Sequence, residues 1–132
     1  MTEAFADTFY WPAVWNPHDV HHPAVVQSKH SGRLVTTDAV RLEVMDAFSI
    51  RRFRPAAVSF WEMTAADPAV VIVEFGIDLL ARAADLFRRR PDKDWSFTDC
   101  LSFVVMADRG IRTALTGDHH FEQAGFDIAF KS

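Results

Sequence analysis

Ser96-Phe97-Thr98-Asp99-Cys100-Leu101-Ser102-Phe103-Val104-Val105-Met106-Ala107 is apolar almost all the way round a helix. A helix with no polar face is a buried one, so this stretch calls for other structure packed around it. Ser96 and Asp99 have the S-x-x-D spacing of a capping box, which fixes the helix start. Gly110 suits the residue just past its end. A carboxylate in the first turn of such a helix must be partnered, protonated or put to use.

Outward from this helix, short strands alternate with helices. Residues 3–6 read as a first strand, 9–16 as a short helix or turn interrupted by Pro12, and 17–31 as a second helix stopping at Gly32. Leu34-Val35 is a very short strand, and Thr37 or Asp38 caps a helix running to about Arg52. Pro55 suits the first turn of a helix reaching about Ala66, and Asp67-Pro68 breaks the pattern. Val70-Val71-Ile72-Val73-Glu74-Phe75 is continuous and β-branched, as in a strand covered on both faces. A helix over 77–90 and strands over 112–116 and 126–130 complete the chain. Strands separated by helices imply an α/β fold with a mostly parallel sheet between helical layers. Ligands of such sheets bind at the carboxyl ends of strands, near a topological switch point.

The 132 residues, about half of them apolar, suffice for one domain (1–132) with a real core. The formal net charge of −4 gives no global attraction for nucleic acid. The single cysteine, Cys100, excludes an intramolecular disulfide framework and fits a reducing compartment. No apolar run approaches the roughly 18 residues of a membrane span. A cytoplasmic protein without a membrane is expected.

Three acids besides Asp99 occupy telling places. Asp7 follows the first strand, Asp118 follows the stretch Ile111–Thr116, and Glu43 lies inside the helical pattern 39–45, with Asp46 one turn on. Carboxylates within roughly 4 Å of each other repel by about 4 kcal/mol per pair at an effective dielectric near 20. They gather only where protons or cations neutralise them. Oxygen donors favour Mg²⁺ or Mn²⁺ over zinc. A divalent ion so held activates water and stabilises charge on a phosphoryl oxygen, as phosphodiester cleavage requires. Each acid also has a blander reading: Asp99 and Asp118 as helix caps, Asp7 as a turn former, Glu43 as an exposed or paired side chain.

Four blocks add a resemblance: Phe5-Ala6-Asp7-Thr8, Thr36-Thr37-Asp38-Ala39-Val40-Arg41-Leu42-Glu43-Val44, Asp94-Trp95-Ser96-Phe97-Thr98-Asp99-Cys100 and Leu115-Thr116-Gly117-Asp118-His119-His120-Phe121. The chain resembles the PIN-domain family, particularly the VapC-type toxins of bacterial type II toxin–antitoxin systems. The resemblance implies a three-layer α/β/α sandwich and a Mg²⁺- or Mn²⁺-dependent ribonuclease that forms a homodimer and binds a protein antitoxin. It carries the acidic catalytic and metal-binding roles to Asp7, Glu43, Asp99 and Asp118, and supporting hydroxyls to Thr8 and Thr116. Two departures stand out. Phe9-Tyr10-Trp11-Pro12 crowds the first motif, and Arg41 could pair with Glu43 or Asp38 and compete with a metal. A catalytically degenerate PIN-like binding module is the alternative.

Arg51, Arg52 and Arg54, with Arg88, Arg89, Arg90 and Lys93, form two basic runs that could bind RNA phosphates or simply cap helix ends as solvated cations. His18, His21, His22, His119 and His120 lack the cysteine pairs or H-E-x-x-H spacing of a zinc site, though His119 beside Asp118 could touch substrate. Trp95 is read as a core residue and Cys100 as a small buried one. A phosphatase is disfavoured because Asp7-Thr8-Phe9 lacks the second acid of the haloacid-dehalogenase D-x-D. A phospho-receiver domain is disfavoured because the 70–75 strand ends without Asp, and a dinucleotide binder because G-x-G-x-x-G is absent.

Overall fold

A computed structural model describes residues 2–28 and 30–131. Five strands, β1 (Glu3–Ala6), β2 (Arg33–Thr37), β3 (Val70–Val73), β4 (Thr113–Leu115) and β5 (Asp127–Ile128), form one sheet in the order β3-β2-β1-β4-β5. Every pairing is parallel. The helices are α1 (Tyr10–Trp15), α2 (His22–Gln27), α3 (Asp38–Ala47), α4 (Arg54–Ala66), α5 (Ile77–Arg89), α6 (Phe97–Arg109) and α7 (His119–Gln123). They flank the sheet: α1 packs on α2 and α4, α6 packs on α5 and α7, and α3 touches both α4 and α6. This is the expected α/β architecture with a wholly parallel sheet.

Core packing explains the layers. Phe5 of β1 meets Phe121, which meets Phe103 of α6 edge-on. Trp11 and Trp15 of α1 close on Phe60 of α4. Phe5, Phe60, Phe121 and Met106 are wholly buried. Helix α6 is the buried element its sequence foretells, with Cys100, Leu101, Phe103, Val105 and Met106 all in the core. Trp95 is also buried.

Several boundaries differ from the sequence reading, each for a local reason. Helix α2 is shorter than 17–31, since Pro23 opens it and Ser28 closes it; residue 29 lies outside the described residues. Strand β2 is longer than Leu34-Val35, because the buried Thr36 and Thr37 find partners: Thr36 Oγ1 donates to the Ala6 carbonyl and Thr37 Oγ1 accepts the Val40 N–H. Helix α3 stops at Ala47 rather than Arg52, where Phe48 turns into the core and the chain makes a 3₁₀ turn over Arg51–Phe53. Strand β3 is an edge, with every residue half-buried, and not a strand covered on both faces.

Strand β1 lies between β2 and β4, so chain order reverses beside it. The carboxyl ends of β1 and β4 therefore flank the crevice where parallel sheets take ligands.

Candidate active site

The chain leaves β1 through a tight turn made by Asp7 itself. Its Oδ1 accepts the Phe9 N–H at 2.8 Å, and its carbonyl accepts the Tyr10 N–H. Its Oδ2 accepts the Thr116 hydroxyl at 3.1 Å, and Thr116 Oγ1 in turn accepts the Asp118 N–H at 3.0 Å. One buried hydroxyl thus ties the ends of β1 and β4 together. Gly117 allows the close approach: a Cβ there would stand 3.0 Å from the Phe9 ring and 3.1 Å from the Phe130 carbonyl.

Asp99 and Asp118 each do two things. Asp99 completes the capping box of α6, its Oδ2 accepting the Ser96 N–H while its own N–H bonds Ser96 Oγ. Asp118 caps α7 by accepting the His120 N–H. Both nevertheless face the cleft of about 360 Å³ that Asp7, Thr8 and Glu43 also line. Capping and a role in the cleft are therefore compatible. Glu43 reaches the cleft from the exposed side of α3, where its Oε1 accepts the Thr8 hydroxyl at 2.6 Å. Its helix is not buried at this position; exposure and the Thr8 partner resolve the mid-helix acid.

Burial sets the electrostatics. Desolvation lifts the Asp7 carboxyl to about 7, with Asp118 and Asp99 pushing the same way, against the hydrogen bonds from Phe9 and Thr116. Carboxylates converging on a half-closed cleft leave negative charge that only a cation or proton offsets. The donor set therefore fits a hard divalent ion.

His120, which lacks the spacing of a zinc site in the sequence, stands in the acidic cleft. Its Nδ1 lies 3.0 Å from Asp99 Oδ2 and 3.5 Å from Asp118 Oδ1. Among the described residues, Asp99, Asp118 and His120 form the group whose donor atoms all lie within 4.8 Å of one another. His119, the histidine favoured for substrate contact, turns instead to Glu122 at 3.3 Å. Asp94 and Ser102 also line the cleft. The signal that could have found His120 is its position two residues beyond the capping acid Asp118, whose carboxylate accepts its N–H.

The crowding residues leave the cleft largely clear. Of Phe9, Tyr10, Trp11 and Pro12, Phe9 alone lines it. Arg41 does not meet Glu43. It is buried, donates to the Trp61 carbonyl at 2.9 Å, lies over the Trp61 ring at 3.7 Å and stands 3.8 Å from Asp38. Burial pushes its guanidinium below the usual value and Asp38 pulls it back.

Three residues of the basic runs are held in ion pairs. Arg88 and Arg89 share Asp85, and Arg90 pairs with Asp92. Arg54 donates to the Ser49 carbonyl and Arg52 lies over Phe53. Arg88, Arg90 and Lys93 line a second cleft that shares Asp94 with the acidic one.

A PIN-domain family model matches residues 4–127, a span that carries all four acids. The chain belongs to the PIN-domain family. Within the PIN domains it is 30% identical over 125 residues to the 23S rRNA-specific endonuclease VapC20 of Mycobacterium tuberculosis, covering 92% of this chain and 94% of the relative. The crystal structure of VapC20, a Sarcin-Ricin loop cleaving toxin, superposes with a TM-score of 0.86 at 27% identity, covering 93% and 95% of the two chains. The VapBC2 structure from Rickettsia felis, bound to a DNA fragment from their promoter, aligns with a TM-score of 0.70. At 12% identity over 97% and 98% of the chains, that likeness is one of fold. The resemblance to VapC-type PIN domains read from the four sequence blocks therefore holds.

Proposed function

We propose that this PIN domain is an endoribonuclease of the VapC type that works with Mg²⁺ or Mn²⁺. One observation carries the proposal: Asp7, Asp99, Asp118 and Glu43 line a single cleft at the carboxyl ends of β1 and β4. Asp7, Asp99 and Asp118 would hold the cation, with Glu43 a ligand directly or through water. The bound ion would supply Lewis acidity to the phosphoryl oxygen. Thr116 orients two of the acids at once, donating to Asp7 and accepting from the Asp118 backbone. Thr8 holds Glu43 toward the cleft.

The relative's name points to the substrate class. A ribosomal RNA stem-loop is the first substrate to offer, and the cleft lined by Arg88, Arg90 and Lys93 would take the flanking phosphates. Arg51, Arg52 and Arg54 are secondary candidates for the same strand. A protein antitoxin covering the acidic cleft with an arginine, which matches a carboxylate bidentately, and a homodimer in the cytoplasm complete the reading.

The test is cleavage of a 23S rRNA stem-loop by purified protein with Mg²⁺, with Mn²⁺ and with EDTA. Cleavage that needs the ion and that Asp99→Asn abolishes, while the variant still melts cooperatively, supports the proposal. Full cleavage in EDTA, or equal cleavage by Asp99→Asn, refutes it.

A further inference from the structure

We infer that His120 is a nitrogen ligand of this cation site, and that it makes the site prefer Mn²⁺ or another transition metal over Mg²⁺. The inference rests on the metal-site reading above and adds a donor the acidic residues do not supply. Two ligand atoms about 2.1 Å from one ion and at roughly 90–110° to each other are about 3.0–3.4 Å apart. His120 Nδ1 stands 3.0 Å from Asp99 Oδ2 and 3.5 Å from Asp118 Oδ1. The ring nitrogen thus stands close to the spacing of a shared coordination sphere from each acid, and all three donors lie within 4.8 Å of one another.

The ring is held for this role from behind. Its backbone N–H is fixed by Asp118 Oδ1, and the next residue, Phe121, is wholly buried against Phe5 and Phe103. The imidazole itself stays about a third exposed, on the cleft wall. Mg²⁺ demands oxygen ligands and near-ideal octahedral geometry. Imidazole instead suits first-row transition ions, with Mn²⁺ at the weak end of their affinity order and the later ions above it. One imidazole added to the carboxylates thus changes which ion the site prefers.

The same 3.0 Å also suits a hydrogen bond from the ring to Asp99, so the experiment must detect the nitrogen on the ion. Mn²⁺ alone is added to the whole chain and pulsed electron paramagnetic resonance reads nitrogen hyperfine coupling. Isothermal titration gives Mn²⁺ and Mg²⁺ affinities for wild type, His120→Ala, His120→Gln and His119→Ala. The expected result is histidine nitrogen coupling in wild type and His119→Ala, and none in either His120 variant. Mn²⁺ affinity should fall at least roughly tenfold in the His120 variants, the lower range for losing even an outer partner of a metal ligand, while Mg²⁺ affinity holds within about twofold. Mn²⁺ bound without nitrogen coupling, coupling that survives in the His120 variants, or Mn²⁺ affinity unchanged by them overturns this assignment alone. No Mn²⁺ binding by the wild type overturns it together with the metal site beneath it. The wild-type spectrum decides the point whether or not a variant folds.

Discussion

Asp7→Asn should make the metal-free protein more stable, and increasingly so as pH rises. The Asp7 carboxyl is buried, and its folded value near 7 lies about three pH units above the ordinary 3.8. An acid whose folded pKa is raised contributes stability that is fully present below the unfolded value. That contribution is lost as pH rises to the folded value. At 1.36 kcal/mol per unit, the charged carboxylate costs the fold about 4 kcal/mol by pH 8. Asparagine keeps the shape and an oxygen for the Phe9 N–H. It leaves the Thr116 hydroxyl without its acceptor, which costs about 1 kcal/mol at every pH. The difference between variant and wild type cancels all other titrations. Between pH 5 and pH 8 it should widen in favour of the variant by about 2–3 kcal/mol. For a chain this long that is a relative shift in Tm of about 8–10 °C. The assay is thermal melting of both proteins in EDTA across that range, repeated with Mn²⁺. The ion should restore wild type and leave the variant almost unmoved. A difference that does not change with pH, or a variant less stable at pH 8, would show that Asp7 is not held against its charge.

Other perturbations separate the roles of neighbouring groups. Thr116→Val removes the hydroxyl that bonds Asp7 and the Asp118 N–H; it should cost about 1–3 kcal/mol in chemical denaturation, with RNA cleavage reduced as Asp118 loosens. Glu43→Gln lies on an exposed helix face, so denaturation should move by less than about 0.5 kcal/mol, while metal-dependent RNA cleavage falls at least about tenfold. Arg41→Met replaces a buried guanidinium whose Nε has no hydrogen-bond partner; melting should show a neutral or stabilising change, because Asp38 is a third exposed and regains water.

Much of this fold is written in local chemistry. The Ser96–Asp99 capping box and Gly110, whose φ is +66°, bound α6 just as their residue types require. The acids at the ends of β1 and β4 follow from the alternation of strands and helices alone. Less legible were features decided across the sheet. The Val70–Phe75 run has the composition of a central strand, yet composition carries no information on which neighbours a strand will have. Thr36 looks like a loop residue until its hydroxyl is seen to bond the neighbouring strand, whereas Thr37 caps the next helix as its position suggests. Glu43 was assigned correctly to a helix, but its face depends on where α3 meets α4 and α6. His120 carries no zinc-site spacing and its partner Asp99 is 21 residues away, so the sequence does not single it out from His119 beside it.

The hydroxyl bridge from Thr116 to Asp7 joins residues 109 positions apart. That separation has a meaning in time. During synthesis Asp7 is made before Glu43 and Asp99, but β1 gains its second neighbour only when β4 exists. Until then Asp7 sits on an open edge, in water, with no reason to hold its proton and no hydroxyl to aim it. A chain cut short by a broken message keeps three of the four acids and still has no cleft. The linear order of the residues thus works as a delay: the RNA of the cell that makes this protein meets no assembled site until residue 118 has been added.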